Sequence, residues 1–442
     1  MDAINSRFSR IGLKIPEVLL PSGNIDMKKW AVIACDQYSS EREYWEGVEK
    51  YTAGSPSTLN LIYPECYLDE EEPEKRIKKI HETMASYLKG GVLSPSGAGF
   101  ILVKRDNKIP RYGLMALLDL EDYDYTRNSK SKIRATEGTI LDRIPPRVRI
   151  REKACLDLPH IMVLIDDPLD SVIGSLKENI PEFEKIYDFD LMKGGGRISG
   201  YLINSSDSLS KIASGMEKLG DVEEFDRKYG SRDPLLYAMG DGNHSLAAAK
   251  SVWEKVKKKG DMNHSARWAL AEIVNIYDKG IVFEPIHRVL FGLNPDLFLK
   301  ELASKGFRIE YLEDSEKIIS ALAIEDDKHR AGFISGDKKG LITKENPKLA
   351  IASATIQDFL DGFLKINMKI GIDYIHGLDA SIRLGSEKGN FSLLLPPIKK
   401  SDFFRTLTTD GVFPRKTFSI GAAHEKRYYL EAREIRRGGS SG

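Results

Sequence analysis

A strand, a glycine turn and the start of a helix follow one another between residues 235 and 250. The apolar run Leu235–Met239 predicts the strand, and Leu246–Lys250 predicts the helix. Segment 240–245 joins them and carries a carboxylate, a carboxamide, an imidazole and a hydroxyl group. A helix N-terminus directs its backbone N–H groups at one point, which suits an anion such as phosphate. Since Asp and Asn also cap helices and Gly is common in turns, an ordinary helix cap is the alternative.

The remainder of the chain predicts strands that alternate with helices, followed by a different pattern from about residue 292. Two strand-like apolar runs are each followed by a helical pattern, namely 161–165 with 171–186 and 198–203 with 209–219. This alternation is typical of α/β layers. Helical patterns and a hairpin signal around residues 335–338 then indicate an α+β region. We therefore expect a mixed α/β protein that has a core with a mixed sheet and a smaller α+β C-terminal region.

The change of pattern also predicts how the chain is organised. We expect an α/β region over 1–291 that carries the strand–turn–helix motif and an α+β accessory region over 292–402. A polar C-terminal segment over 403–437 is expected to return to the candidate site. The Gly/Ser composition of residues 438–442 predicts a flexible tail.

Composition narrows the possible partners. The formal net charge is zero, so no general attraction to nucleic acid or to an anionic membrane is expected. No apolar run is long enough to cross a bilayer. The three cysteines, Cys35, Cys66 and Cys155, form no Cys-x-x-Cys pair, which argues against a zinc ribbon or a disulfide framework and favours a reducing cytoplasm. The sequence does not indicate the oligomeric state.

A basic stretch lies between Arg127 and Lys153. It holds nine Lys or Arg residues against three acidic residues, in a protein whose net charge is zero. Arginine can bind a phosphate through two parallel hydrogen bonds, so the stretch predicts an anion site, with a solvated basic face as the alternative. Residues 147, 149 and 151 are all Arg, and this alternation predicts one face of a strand. The expected phosphate-binding residues are Arg134, Thr136, Glu137, Thr139, Arg143, Arg147 and Arg149.

A second basic segment follows the turn signal at residues 410–411. Arg415, Lys416 and Thr417 would present two cations and a hydroxyl group close together, and Thr417 would share a face of a strand with Arg415. These three residues are further candidates for phosphate binding. The alternative is a basic strand on the surface.

Four segments together resemble a large bacterial and archaeal family of unknown function, and the resemblance spans about residues 16–435. The segments are Ala34–Tyr38, Arg134–Thr139, Asp241–Ala247 and Pro414–Thr417. The common form of that family has Asp-Gly-His-His-Arg where this chain has Asp241 to Ser245. That string is also similar to the phosphate-binding motif of ParB-like free serine kinases, which phosphorylate the hydroxyl group of free L-serine. The resemblance therefore implies a ParB-like catalytic core within residues 1–291.

The resemblance also implies roles for individual residues. Asp241 and His244 would be catalytic: Asp241 would bind Mg²⁺ or accept the serine hydroxyl proton, and His244 would contact the transferring phosphoryl group. The donor would be pyrophosphate, ATP or ADP, and the acceptor would be L-serine. Asp36 is the first choice for the carboxylate that accepts the serine hydroxyl proton, ahead of Glu41 and Glu137. Gly242, Asn243 and Ser245 would complete the phosphate site, although Asn243 and Ser245 depart from the common motif.

Two other functions remain open at this point. A non-catalytic sensor of a phosphorylated metabolite would bind its ligand through the same residues without turnover. A ParB-like protein that binds nucleic acid or nucleotides is the other alternative. The zero net charge and the lack of a helix-turn-helix signature argue against nucleic acid.

Overall fold

The computed structural model describes residues 2–34, 38, 41–67 and 72–435. The chain divides into two compact units. Unit 1 comprises Met1–Ile281 and Gly421–Gly442, and unit 2 comprises Val282–Ile420. Unit 1 is therefore built from two separate stretches of the chain, with unit 2 between them in sequence.

The helices of unit 1 lie in its first stretch. They are α1 (Asp2–Arg10), α2 (Met27–Trp30), α3 (Arg42–Thr52), α4 (Pro73–Lys89), α5 (Ile144–Glu152), α6 (Ile173–Lys177), α7 (Ser206–Leu219), α8 (Val222–Tyr229) and α9 (Asn243–Lys257). Side chains of Ser205 and Asp221 accept hydrogen bonds from the first turns of α7 and α8, which fixes where these helices begin. No helix within the described ranges combines the length and the apolarity needed to cross a membrane.

The strands of unit 1 come from both stretches. They are β1 (Leu13–Lys14), β2 (Glu17–Pro21), β3 (Val32–Ile33), β4 (Leu93–Ala98), β5 (Phe100–Asp106), β6 (Arg111–Asp119), β7 (Tyr123–Asp124), β8 (Ile133–Arg134), β9 (Leu156–Asp157), β10 (Met162–Ile165), β11 (Glu184–Asp190), β12 (Arg197–Ile203), β13 (Tyr237–Asp241), β14 (Trp268–Asn275), β22 (Tyr428–Tyr429) and β23 (Arg433–Glu434). Strands β15 to β21 belong to unit 2 and are given below.

The main sheet of unit 1 is mixed. In the described part of the chain it has ten strands in the order β11-β12-β5-β6-β14-β10-β13-β8-β7, and β1 pairs with β6. Strand β10 runs parallel to β14, and β8 runs parallel to both β13 and β7. The other neighbours are antiparallel, including the hairpin of β5 and β6. The predicted mixed α/β fold with a mixed sheet is therefore confirmed.

Apolar side chains cover both faces of this sheet. Leu102 and Leu114 belong to a cluster on one face, against which α1, α7 and α9 pack. Ile101 and Met115 belong to a separate cluster on the other face. Successive residues of a strand point to opposite faces, so the central strands are buried on both sides and are apolar almost throughout.

Residues 421–435, which we call the return segment, add the last elements of unit 1. Its strands β22 and β23 pair with β3 and β9 in antiparallel register. The buried indole of Trp30 donates a hydrogen bond from Nε1 to the carbonyl oxygen of Leu430 at 2.9 Å. Leu430 is itself fully buried, so the return segment is part of the core of unit 1.

Asp157 connects the return segment to helix α5 through buried ion pairs. Its carboxylate accepts hydrogen bonds from Arg151 at 2.6 and 2.9 Å and from Arg433 at 3.3 Å. Burial raises the pKa of Asp157, but the two guanidinium groups outweigh burial and lower it to about 2. The carboxylate is therefore ionised, and it also accepts a hydrogen bond from the backbone N–H of Leu270 at 3.3 Å.

Unit 2 is an α+β structure around one antiparallel sheet. Its strands are β15 (Phe283–Phe291), β16 (Arg308–Tyr311), β17 (His329–Ser335), β18 (Lys338–Lys344), β19 (Gly371–His376), β20 (Asn390–Leu394) and β21 (Phe418–Ile420), and its helices are α10 (Pro295–Ser304), α11 (Ser315–Leu322), α12 (Ala352–Ile366), α13 (Leu378–Ser386) and α14 (Lys400–Thr409). The sheet order is β16-β18-β17-β20-β15-β19, and β21 pairs with β15. Phe298, Phe333 and Phe391 pack together in its core. The predicted α+β region and its hairpin, β17 with β18, are confirmed.

One prediction about the basic stretch is wrong. Arg147, Arg149 and Arg151 lie on helix α5 and do not line one face of a strand. Two prolines occupy the start of this helix, where proline is favoured because its fixed φ suits the first turn and its missing N–H is not needed. On a helix, residues two apart point in different directions, so these arginines have different partners.

Replacing Asp157 by Asn is expected to lower the free energy of unfolding by about 3–5 kcal/mol near neutral pH. The change leaves the buried guanidinium group of Arg433 and the half-buried one of Arg151 without a carboxylate. The folded-state pKa of Asp157 is depressed, so the loss relative to wild type should shrink as the pH falls from about 4 towards 2 in urea denaturation. The control Glu152→Gln, which removes an exposed ion pair with Lys255, should cost less than about 1 kcal/mol. Equal losses in the two variants would contradict this account.

Candidate functional site

Strand β13 leads through one glycine into helix α9, as the sequence predicts. The pairing of β13 with β10 shifts by one residue between Met162 and Val163, as in a β-bulge. Met239 lies opposite Val163, and Asp241 lies opposite Met162. Residues opposite one another share a face of the sheet, so the bulge turns Asp241 to the face opposite that of Met239.

Gly242 is the residue at which the chain turns from the strand into the helix. Its φ of 85° lies in the left-handed region that favours glycine. A Cβ atom at this position would lie 3.2 Å from Cα of Ile161, so the turn is also closely packed. Gly242 occupies the N-cap position and, as glycine, has no side chain that could accept a hydrogen bond from α9. The first turn of α9 directs its backbone N–H groups at the junction.

The Asp241 carboxylate is held from two sides. Its Oδ1 accepts a hydrogen bond from the backbone N–H of Gly242 at 2.8 Å, and its Oδ2 accepts one from Lys426 Nζ at 3.2 Å. Burial raises the pKa of Asp241, but Lys426 and His160 outweigh burial, so this pKa lies below its usual value. Lys426 is almost fully buried. The junction thus contains an ionised carboxylate paired with a largely desolvated ammonium group.

Residues Asn243 and His244 tie the first turn of α9 to the loop that precedes α5. The Asn243 side chain accepts a hydrogen bond from the backbone N–H of Thr136 at 3.3 Å and donates one to the Thr136 hydroxyl at 3.4 Å. The backbone N–H of Ile140 donates to His244 Nε2 at 3.3 Å. This hydrogen bond requires the tautomer in which Nε2 is the acceptor and Nδ1 carries the proton.

Ser245 is in contact with a histidine from another part of unit 1. Its Oγ lies 3.2 Å from Nε2 of His160, which directly precedes the strand segment containing β10. The His160 ring stands edge-on to Tyr429, with 5.2 Å between the ring centroids. The return segment therefore contributes both Lys426 and Tyr429 to the surroundings of the junction.

Other predicted residues of the loop before α5 have mainly structural contacts. The buried guanidinium of Arg134 donates to the carbonyl oxygens of Ser131 and Asp233 at 2.8 and 2.6 Å, and burial lowers its pKa. The hydroxyl oxygen of Thr139 is buried and has no hydrogen-bond partner within the described part of the chain. Glu137 is half-buried in the same loop. This loop thus brings Thr136 to α9. The hydrogen bonds from Arg134 to the two carbonyl oxygens stabilise the loop.

The arginines of α5 differ in exposure and in partners. Arg147 is half-buried and forms an ion pair with Glu65, whereas the more exposed Arg149 pairs with Glu74 at 3.0 Å. Arg143 is exposed at the N-terminal end of the helix. Helices α5 and α9 share one apolar cluster, so α5 lies alongside the helix that begins at the junction.

The second basic segment belongs to unit 2. Arg415 is exposed and donates a hydrogen bond to the hydroxyl of Tyr374 at 3.3 Å. The Lys416 backbone has a left-handed φ of 56°, and its carbonyl oxygen accepts a hydrogen bond from the buried Arg288 at 2.9 Å. Thr417 is buried, and its hydroxyl donates to a carbonyl three residues earlier. A role for Arg415, Lys416 and Thr417 in phosphate binding stays a prediction.

Two further predictions concern the proton acceptor and the metal. Asp36 lies outside the described residues. In the described ranges, no three His, Cys, Asp or Glu side chains are arranged to hold a metal ion. Mg²⁺ commonly binds one or two carboxylates together with substrate phosphates and water. Asp241, as a single ionised carboxylate, fits a Mg²⁺ that is shared with a phosphate ligand and does not fit a cage made by protein alone.

Two residues that sequence analysis did not select complete the junction. Lys426 is 185 residues from its partner Asp241, and His160 is 85 residues from its partner Ser245. The only local signals were that His160 directly precedes an apolar strand and that Lys426 lies in a polar segment near the C-terminus. Neither signal identifies the partner.

Arg427, the residue after Lys426, enters a buried charged network. It donates to Glu272 Oε2 at 2.5 Å and to the carboxylate of Glu431. The Tyr187 hydroxyl donates to the other oxygen of Glu431 at 2.5 Å. Burial raises the pKa of Glu272, but the neighbouring arginines outweigh burial, so this pKa lies below its usual value. Lys426 and Arg427 are thus anchored to β13 and β14, two strands separated by β10.

Comparison with known proteins gives one family match. A family model described as a protein of unknown function (DUF1015) matches residues 19–363. No curated protein matches the chain. Among solved structures, a free serine kinase in complex with AMP is 13% identical over 73% of this chain and 92% of that one, with a TM-score of 0.37. A conserved hypothetical protein from Pyrococcus furiosus is 14% identical over 71% and 93%, with a TM-score of 0.34. SbnI from Staphylococcus aureus, with a C-terminal truncation, is 6% identical over 70% and 83%, with a TM-score of 0.36.

Gly242→Ala is expected to lower the free energy of unfolding by about 1–3 kcal/mol, as measured by urea denaturation. The substitution places a Cβ atom in a left-handed conformation and against Ile161. The matched control is Gly230→Ala, where φ is 68° and an added Cβ would meet open space. The control variant has only the conformational cost of placing alanine in a left-handed conformation, so its free energy of unfolding should fall by less than that of Gly242→Ala. A Gly242→Ala variant as stable as the control would show that the junction is not closely packed.

Proposed function

The chain belongs to the DUF1015 family of proteins of unknown function, and we propose that it is a phosphotransferase that acts on the hydroxyl group of a small molecule. The proposal rests on the junction of β13 and α9. There, the N-terminus of a helix whose N-cap residue is glycine meets the Asp241–Lys426 ion pair and the imidazole of His244. Phosphoryl transfer requires mainly positioning and charge stabilisation, and these groups can supply both.

The first turn of α9 is the proposed binding site for the donor phosphates. Its backbone N–H groups and the helix dipole together amount to roughly half a positive charge at the N-terminus. The almost fully buried ammonium group of Lys426 offsets the negative charge of Asp241 beside this turn, which reduces the repulsion between that carboxylate and the donor phosphates. Two hydrogen bonds between Asn243 and Thr136 hold the loop before α5 against this turn. This loop would form one side of the proposed phosphate site.

Asp241 is the proposed ligand of Mg²⁺. Its pKa lies below the usual value, so the carboxylate is ionised over the physiological range. A Mg²⁺ held by this carboxylate would supply positive charge that stabilises the phosphates of the donor. Lys426 fixes the position of the carboxylate through Oδ2.

His244 is the proposed contact of the transferring phosphoryl group. Its Nε2 accepts a hydrogen bond from the backbone N–H of Ile140, so the donor nitrogen of this tautomer is Nδ1. A neutral imidazole can donate one hydrogen bond to a phosphoryl oxygen as negative charge develops. The hydrogen bond from Ile140 fixes the tautomer and holds the ring in place.

Free L-serine is the proposed acceptor, and ATP, ADP or pyrophosphate is the proposed donor. Both proposals depend on the resemblance of residues 241–245 to the motif of ParB-like free serine kinases.

Arg143 and Arg147 are the proposed contacts for the outer phosphates, because they lie at the start of and within α5, the helix beside α9. Asp36 remains the proposed acceptor of the hydroxyl proton. A sensor of a phosphorylated metabolite would make the same contacts and is distinguished by its lack of turnover.

The direct test is to incubate the protein with L-serine, Mg²⁺ and each donor in turn, and to measure O-phosphoserine by mass spectrometry. We expect product with at least one donor. His244→Ala should lower kcat/KM by about 10²–10³-fold, because it removes a hydrogen-bond donor to the transferring group. Asp241→Asn should lower it by at least about 10²-fold, because it weakens the hold on the metal.

Two matched controls separate these losses from general damage. His264→Ala removes a histidine that also accepts a hydrogen bond from a backbone N–H, but outside the junction. Asp122→Asn removes a partly exposed carboxylate that also pairs with a lysine, Lys132. Both controls should retain kcat/KM within about threefold of wild type. Binding of a donor without any product would favour the sensor, and no binding with any donor would refute the proposal.

A further inference from the structure

Ser245 and His160 form a pair that the proposed mechanism does not use. The serine Oγ lies 3.2 Å from His160 Nε2, within hydrogen-bond distance. A serine hydroxyl is a weak nucleophile until a neighbouring base takes its proton, and histidine is the commonest such base. Both side chains are half-buried, so the pair is neither sealed in the core nor fully exposed to water.

The ring of His160 is held in place beside Ser245. Tyr429 packs against this ring edge-on, with 5.2 Å between the ring centroids, which limits the rotation of the imidazole. Tyr429 is itself fixed by the pairing of β22 with β3.

The position of Ser245 suits the product of phosphorylation. Ser245 is the third residue of α9, in the first turn of the helix. A phosphate group on a residue in the first turn is stabilised by the helix dipole and by the backbone N–H groups.

We propose that Ser245 is a phosphorylation site of this protein, at which the bound donor transfers a phosphoryl group to Ser245 Oγ. The inference rests on the proposed function, because the donor is the one bound at α9. A bond forms between Oγ and the terminal phosphorus, and the bridging P–O bond of the donor breaks. The leaving group departs with its electron pair, as ADP from ATP, AMP from ADP, or phosphate from pyrophosphate. The hydroxyl proton goes to His160 Nε2.

Other hydroxyl groups near the junction lack a base at hydrogen-bond distance in the described contacts. The Thr136 hydroxyl accepts a hydrogen bond from Asn243. The Ser251 hydroxyl, further along α9, donates to the carbonyl oxygen of Ala247. The Thr139 oxygen is buried and has no described partner. These contacts identify Ser245 as the nucleophile.

The test is to incubate the full chain with Mg²⁺ and ATP, ADP or pyrophosphate in turn, with no acceptor added, and to analyse its peptides by mass spectrometry. We expect one phosphoryl group on Ser245 with the same donor that supports transfer to L-serine. Ser245→Ala should remove the label, whereas Ser251→Ala, on the same helix, should retain it. His160→Gln should slow labelling by about 10²-fold or more, because the base is lost. The thermal unfolding midpoints of the variants verify that each is folded.

The outcomes separate this inference from the proposed function. An unlabelled Ser245 in a protein that does form O-phosphoserine from L-serine would overturn the inference alone. A label that persists in Ser245→Ala, on another residue, would also overturn it. Absence of both the label and the free product, with every donor, would overturn the inference and the proposed function together.

Discussion

Two consecutive residues of the return segment, Lys426 and Arg427, hold the candidate site together, because each forms an ion pair with a different strand of the main sheet. Lys426 pairs with Asp241 at the end of β13, and Arg427 pairs with Glu272 on β14. Strand β10 separates these two strands, so the segment spans about 10 Å of sheet at this point. The charge and position of Asp241, and with them the proposed chemistry, depend on a stretch of chain that follows unit 2 in sequence.

The energetic reason for this dependence is the burial of the charges. Arg427 is buried between Glu272 and Glu431, and a buried ion pair is costly to break because the remaining charge is left without a partner. The return segment is further fixed by the Trp30 indole and by Asp157. These contacts join residues that are far apart in sequence, so forming them during folding has a large entropic cost of loop closure. Once formed, they place Lys426 beside Asp241 and Tyr429 beside His160.

The sequence predicted what is encoded locally. The strand, turn and helix around Asp241 have all their signals within a few residues, and the mixed α/β class follows from alternating patterns. Helix α5 was mistaken for a strand because arginines two apart fit a strand, although Pro145 and Pro146 signal a helix start. His160 and Lys426 could not be selected, because only the folded sheet brings them to their partners. Likewise, the sequence could not predict that β15 belongs to the sheet of unit 2. This strand is placed there by its pairing with β19 and β20, which lie far from it in sequence.

The central claim is that the first turn of α9 binds the phosphates of a donor. A crystal structure of the protein with ADP and Mg²⁺ tests it most directly. The account predicts phosphate oxygens within hydrogen-bond distance of the backbone N–H groups of Asn243 to Ser245, and Mg²⁺ bound to the Asp241 carboxylate. Well-ordered ADP whose phosphates lie elsewhere in the chain, with the first turn of α9 in contact with water alone, would contradict it.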